Sequence, residues 1–303
     1  MRFRCLILTL IALSTVAAGR PVSADTIYAI GNGGGSLVRF DSAAPSMTTS
    51  VSFSGDDSFL DGIDFRPATG QLYGYRSGDH SFYTVDTNSG VLTAALSPST
   101  QVTNTFFLGI DFNPTIDRLR IVTDSAQNLV YNPNTGGVTT ATDLFYGSGD
   151  VNAGLVPLVI DNAYDNNIAG KFATSQQYVL DYGLDVLAKL NNNTGILTTV
   201  GTITLNGSPL DFNQYTGFDI LTELDGTNLA YAILTVGGSQ SLYTLDLGTG
   251  AATSLGGLDP QYGLIYGLTV TPRAVPEPGS IVLIGMGIAV VGVVAHRRRK
   301  RTE

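Results

Sequence analysis

The chain has 303 residues, one cysteine, two histidines and a net charge of −9. The acidic balance excludes a nucleic-acid binder, which must neutralise phosphates. The lone Cys5 excludes a disulfide framework, and His80 with His296 cannot supply a histidine-rich zinc site or two-histidine catalysis.

The chain opens with Met1-Arg2-Phe3-Arg4, an apolar run over residues 5–18, and Val22-Ser23-Ala24 ahead of Asp25. A basic start, a short apolar middle and small residues before the cut predict a secretory signal peptide over 1–24, cleaved between Ala24 and Asp25. The apolar run is too short to span a bilayer comfortably. Between the two ends, residues 25–274 carry eight basic and twenty-three acidic side chains, a net charge of −15 that favours solubility and attracts cations.

Internal repetition then decides the fold class. Gly62-Ile63-Asp64-Phe65 recurs as Gly109-Ile110-Asp111-Phe112, as Gly217-Phe218-Asp219-Ile220 and loosely as Gly267-Leu268-Thr269-Val270, with a divergent copy near Asn162-Ala163-Tyr164. A second strand follows each full copy, and a third runs into a turn that ends in glycine at 90, 136, 195 and 250. Asp or Asn opens each turn by bonding its own backbone, and glycine takes the positive φ. A threonine-rich fourth strand completes the unit. Four short strands at a period near fifty predict β-propeller blades. The C-terminal copy is a first strand without successors, and residues 25–54 hold three strands without a first. Joined, they complete one blade and leave no open edge. The expectation is an all-β, five-bladed propeller over 25–270, closed by its N- and C-terminal strands. Residues 143–160 are too few for a sixth blade.

The repeats resemble an exported bacterial family, the domain of unknown function numbered 4394. Its most specific stretch here runs from Gly109 through Asn113-Pro114-Thr115-Ile116-Asp117-Arg118-Leu119-Arg120 to Asp124 and Gln127-Asn128-Leu129. The resemblance brings no established activity.

Beyond the repeats, residues 271–280 form a linker holding Pro276-Glu277-Pro278. Fifteen uncharged residues (281–295) and the cluster His296-Arg297-Arg298-Arg299-Lys300-Arg301 follow. They predict a transmembrane helix over 281–296 and a cytoplasmic basic tail over 297–303. Fifteen helical residues cover about 22 Å, which flanking and snorkelling side chains can extend toward the roughly 30 Å hydrocarbon layer. This tripartite tail resembles the PEP-CTERM sorting domain. The resemblance implies recognition by an exosortase-type protease after transient inner-membrane anchoring, then release to the surface or extracellular matrix of a Gram-negative bacterium that makes exopolysaccharide. A permanent anchor is the alternative.

Three groups of residues are candidates for chemistry. Asp64, Asp111 and Asp219 occupy one position of the first strand. They could line the channel as a partial acidic ring for Ca²⁺ or a cationic ligand, or accept backbone N–H bonds between blades. Arg120 stands where Tyr28, Tyr73, Tyr178 and Tyr231 stand in the other blades, with Asp111, Asn113, Asp117, Arg118 and Asp124 close in sequence. It predicts either a site or an inter-blade ion pair. The Asn/Asp-rich runs Asp56-Asp57, Asp150 to Asn152 and Asp161 to Asn167 read as loop turns without Ca²⁺-loop spacing, and Gly31-Asn32-Gly33-Gly34-Gly35 reads as a turn between strands. No metal or other cofactor is expected, with weak Ca²⁺ binding left open. The functional expectation is a non-catalytic binding or structural propeller in the envelope or exopolysaccharide matrix. The alternative is a carbohydrate-active hydrolase using paired carboxylates.

Overall fold

The computed structural model describes residues 24–55, 59–98, 102 and 107–273. The expected signal peptide, sorting motif, transmembrane helix and basic tail lie outside the described residues, as do Asp56 and Asp57.

Five antiparallel sheets form a five-bladed propeller. Blade 1 has the strands Thr26–Gly31, Ser36–Asp41 and Ala44–Ser52, with Tyr266–Val270 as its innermost member. Ile27 pairs with Val270 and Tyr28 with Thr269, so the last strand closes the ring on the first segment. Blade 2 contains Gly62–Arg66, Gln71–Arg76, Ser81–Val85 and Leu92–Ala94. Blade 3 contains Leu108–Asn113, Arg118–Thr123, Asn128–Tyr131 and Val138–Thr140. Blade 4 contains Val159–Tyr164, Gln177–Asp181, Val186–Leu190 and Ile196–Thr202. Residues 143–160 add no blade; Phe145–Tyr146 joins the outer edge of blade 4 in parallel. Blade 5 contains Gly217–Thr222, Asn228–Val236, Ser239–Leu245 and Ala251–Gly257, with Thr204–Leu205 parallel to its outer strand. Every strand needed to close the ring lies within residues 25–273.

Burial falls from the axis outward and explains the composition of each strand. Inner strands such as Gly62–Arg66 and Gly217–Thr222 are buried at every residue because a neighbouring blade covers each face. Outer strands such as Val138–Thr140 have mostly exposed side chains, which their threonines suit. The turn after each third strand behaves as expected. Gly90, Gly136, Gly195 and Gly250 have φ between 72° and 79° or, for Gly195, 71°, and each donates its N–H to the carbonyl of the Asp or Asn that opens the turn. A Cβ on Gly195 would also collide with the carbonyl oxygens of Thr142 and Asp143, so glycine is required there twice over.

Apolar clusters fill the spaces between blades. Tyr73, Tyr75 and Phe82 of blade 2 pack with Ile110, Phe112, Leu119 and Ile121 of blade 3. Tyr28, Ile30 and Leu37 of blade 1 meet Ile63, Phe65 and Leu72 of blade 2. Between blades 3 and 4, blade 3 contributes only Val122 among its strand residues to the buried apolar cluster.

The inner strands run in the same direction and define two channel mouths. The strand starts, including Gly62, Gly109, Gly217 and Gly267, surround one mouth. Their ends surround the other, where the chain also enters and leaves. There the Arg273 guanidinium bonds the Asp25 carboxylate and both Glu223 oxygens, the latter at 2.6 and 3.0 Å. This clasp ties the first and last described segments to blade 5.

Candidate functional site

The repeated aspartates meet on the axis. One carboxylate oxygen from each of Asp64, Asp111 and Asp219 lies within 4.8 Å of the other two, and all three residues are buried. Each also reaches the following blade. Asp64 Oδ2 accepts the Phe112 N–H at 2.7 Å, Asp111 accepts the Tyr164 N–H, and Asp219 Oδ2 accepts the Val270 N–H at 2.7 Å. In blade 1 the same position is Thr269, whose Oγ1 accepts the Phe65 N–H at 3.3 Å and lies 2.9 Å from Asp64 Oδ1 and 3.1 Å from Asp219 Oδ2. The aspartates therefore clasp each blade to the next through backbone amides.

Blade 4 breaks the series. Its register partner for Tyr178 is Ala163, which has no acceptor, and the Ile220 N–H of blade 5 turns instead to its own neighbour, Asp219 Oδ1, at 2.6 Å. Burial raises the pKa of Asp64 and Asp111, with mutual carboxylate repulsion adding to the effect. Burial likewise lifts Asp219 to about 6 despite its amide donors. Close, desolvated carboxylates favour shared protons over full ionisation. Each of the three carboxylates and the Thr269 hydroxyl already accepts a backbone amide.

Of the residues surrounding Arg120 in sequence, the fold keeps Asp111 as its cross-strand partner and brings Asn113 to Tyr164, which Arg120 also reaches, while Asp117 and Asp124 turn away. Asp117 accepts two bonds from Arg66 of blade 2, the Nε contact at 2.7 Å, and Arg66 also donates to Asn134 at 2.7 Å. The Arg66 pairing holds the Asp117 carboxyl below its ordinary value. Asn113 caps its own turn, its Oδ1 accepting the Thr115 N–H at 2.9 Å, while Arg118 donates to the Asp117 carbonyl at 2.8 Å. Asp124 lies at the opposite end of its strand, with its N–H donating to the Phe107 carbonyl at 3.2 Å.

Arg120 is buried between blades 3 and 4, but its partners are neutral oxygens: Asn128 Oδ1 at 2.7 Å and the Tyr164 hydroxyl at 3.4 Å. The expected inter-blade ion pair is thus an inter-blade hydrogen bond. The substitution is matched across the interface. Tyr28 meets Phe65 and Tyr73 meets Phe112 edge to face, at 5.6 and 5.2 Å between centroids. Where blade 3 carries arginine, blade 4 carries Tyr164 in the phenylalanine position and supplies the acceptor.

A cavity of about 280 Å³ occupies the mouth at the strand starts. Phe59, Phe107, Tyr215 and Tyr266 contribute rings, Asp61 and Asp161 carboxylates, and Gln214 an amide. Phe107 and Tyr215 stand edge to face at 5.6 Å. Asp61 accepts the Ser77 N–H at 2.6 Å, and Asp161 accepts the Thr216 hydroxyl. Burial raises both carboxyls, Asp161 to about 7.

None of these cavity residues was singled out by the repeat pattern. Asp161 pairs with Leu180 where Gly62 pairs with Tyr75, Gly109 with Val122 and Gly217 with Ile233. It is therefore an aspartate in a glycine position, inside the strand Val159–Tyr164 rather than in the loop turn that its Asn/Asp-rich run suggests.

The fold is a closed five-bladed propeller, and the family comparisons place the chain. It belongs to the family described as Domain of unknown function (DUF4394), whose model matches residues 36–269. Residues 274–300 match the PEP-CTERM protein-sorting motif. The chain is an exosortase-sorted exported protein with a propeller fold. No curated protein matches its sequence. Among solved structures it is similar to a chain of a nidogen–laminin complex, at 10% identity over 81% of this chain and 98% of that one, with a TM-score of 0.47. It is also similar to a chain of Kuenenia stuttgartiensis hydrazine synthase, at 15% identity over 66% and 49%, with a TM-score of 0.36. Neither likeness carries function.

Proposed function

We propose that the propeller is a non-catalytic saccharide-binding module of the cell envelope or exopolysaccharide matrix, with the channel-mouth cavity as its binding site. The observation that carries this reading is the combination of four aromatic rings with two carboxylates and an amide in one cavity. Ring faces cover the apolar faces of sugars, and a few placed polar groups fix orientation. Arg273, the last described residue, lies at the opposite mouth from the cavity. Signal cleavage after Ala24 would leave Asp25 with its contacts to Ser42, Tyr231 and Arg273 intact.

Calorimetry of residues 25–273 against the producing bacterium's own polysaccharide tests the proposal. Binding that weakens at least tenfold in Phe107→Ala and Tyr215→Ala is expected; no binding by the parent protein rejects it. One observation favours the hydrolase alternative: Asp161, lifted to about 7, shares the cavity with Asp61. Release of reducing ends by the parent but not by Asp161→Asn would select that reading.

A further inference from the structure

Resting on the saccharide-binding reading, we infer that the channel-mouth cavity selects sugars bearing a protonated amine, such as units of a de-N-acetylated hexosamine polymer. Four observations converge on a cationic group. Asp61 and Asp161 both line the cavity, and among the described residues no lysine, arginine or histidine does. Asp161 is 6% exposed, and Thr216 is the one side chain that bonds it among the described residues, at Oδ2, which leaves Oδ1 for a ligand. A ligand ammonium would neutralise these carboxylates in a site where water does so poorly. Phe59, Phe107, Tyr215 and Tyr266 line the same cavity, and aromatic rings attract cations and pack against the carbon faces of sugars.

The position of Asp161 is the fourth observation. In blade 3 the equivalent residue is glycine because a Cβ on Gly109 would lie 2.5 Å from the next blade's backbone. In blade 5 a Cβ on Gly217 would lie 2.5 Å from Leu268. A carboxylate in that series departs from the packing rule of the repeat, and it does so where the cavity opens. Departures that local packing does not call for concentrate at functional sites. The charge of the whole domain acts in the same direction, since residues 25–274 carry a net −15 and would draw a polycationic saccharide toward the mouth.

The test compares four probes on residues 25–273 by calorimetry at pH 7: a glucosamine trisaccharide, its fully N-acetylated counterpart, a glucose trisaccharide, and spermidine. The glucosamine trisaccharide should bind at least tenfold more tightly than each of the others. Asp161→Asn and Asp61→Asn should each remove most of that preference while still melting in one cooperative transition. Phe107→Ala should weaken every saccharide. Equal or tighter binding of the N-acetylated or glucose trisaccharide overturns amine selection and leaves the saccharide reading standing. Equal binding of spermidine overturns the sugar component. Failure of all four probes overturns the inference, while binding of the native polysaccharide separately decides the broader reading.

Discussion

The interface between blades 2 and 3 and that between blades 3 and 4 are built from the same repeat but solve different problems. The first is mainly apolar, with an ion pair, Arg66 to Asp117, at the strand-end edge: Tyr73 meets the Phe112 ring, Phe82 stacks on Tyr131 with centroids 4.1 Å apart, and Asp64 takes the Phe112 amide. The second is a polar seam. Arg120 joins Asn128 and Tyr164, Tyr164 donates to Gln177 at 3.0 Å, and Asn128 donates to the carbonyls of Thr142 and Asn192 at 3.0 and 3.1 Å. Buried polar atoms of Asn162 and Gln177 on blade 4 have no partner. An apolar interface tolerates small errors of shape, whereas a buried polar seam demands that each donor meet its acceptor. The difference teaches that the ring keeps its repeated packing where Tyr–Phe partners recur and rebuilds the interface in polar groups where Arg120 and Tyr164 replace them.

The largest effect should come from adding one methyl group at equivalent positions in the two interfaces. A Cβ on Gly109 would meet Asp161 backbone at 2.5 Å, whereas on Gly62 it would meet flexible Leu108 and Ile110 side chains at 3.2 and 3.3 Å. Gly109→Ala should cost about 3 kcal/mol and Gly62→Ala about 1 kcal/mol or less, by denaturant unfolding. Equal costs would erase the distinction between the interfaces.

Arg120→Ala comes next, at roughly 2–4 kcal/mol, because it leaves a cavity and strips a donor from Asn128 and Tyr164. Arg120→Tyr alone should be poorly accommodated beside the Tyr164 hydroxyl. Combining it with Tyr164→Phe recreates the Tyr73–Phe112 pair, so the double variant should exceed the additive expectation by about 1 kcal/mol. Strict additivity would show that the two residues are not a matched pair.

The smallest effect separates the cavity from the axis. Burial raises Asp161 from 3.8 to about 7, so the folded state holds its proton more strongly than the unfolded chain. Its contribution is fully present below about pH 4 and is lost as pH rises through about 7, at no more than about 1.4 kcal/mol per pH unit. Asp161→Asn should flatten stability against pH across that window by up to one proton. The axial aspartates, also raised by burial, should preserve a residual slope. An unchanged profile would place the Asp161 carboxylate in a solvated setting.

Much of the fold was legible because its determinants are local and repeated. Gly-Ile-Asp-Phe marks an inner strand buried on both faces, Asp or Asn with glycine marks the turn, and the unmatched end segments announce closure. The same strings could not say whether Asp64, Asp111 and Asp219 serve a ligand or the neighbouring blade, since one carboxylate can do either; the Phe112 and Val270 amides reveal what two of them touch. Neighbours in sequence misled around Arg120, because alternation along a strand and the Arg66 pairing pull Asp117 away from it.

What the sequence by itself determined is the repeat unit, the blade number, the closure and the sorting tail, all written in periodic or contiguous residues. Only the tertiary structure decided the cavity. Its rings and carboxylates come from segments as distant as Phe59, Phe107, Asp161, Tyr215 and Tyr266, and no spacing in the chain foretells that they converge. It also decided the Arg120–Tyr164 exchange, because partners that change together across an interface are joined by packing and lie 44 positions apart in the chain.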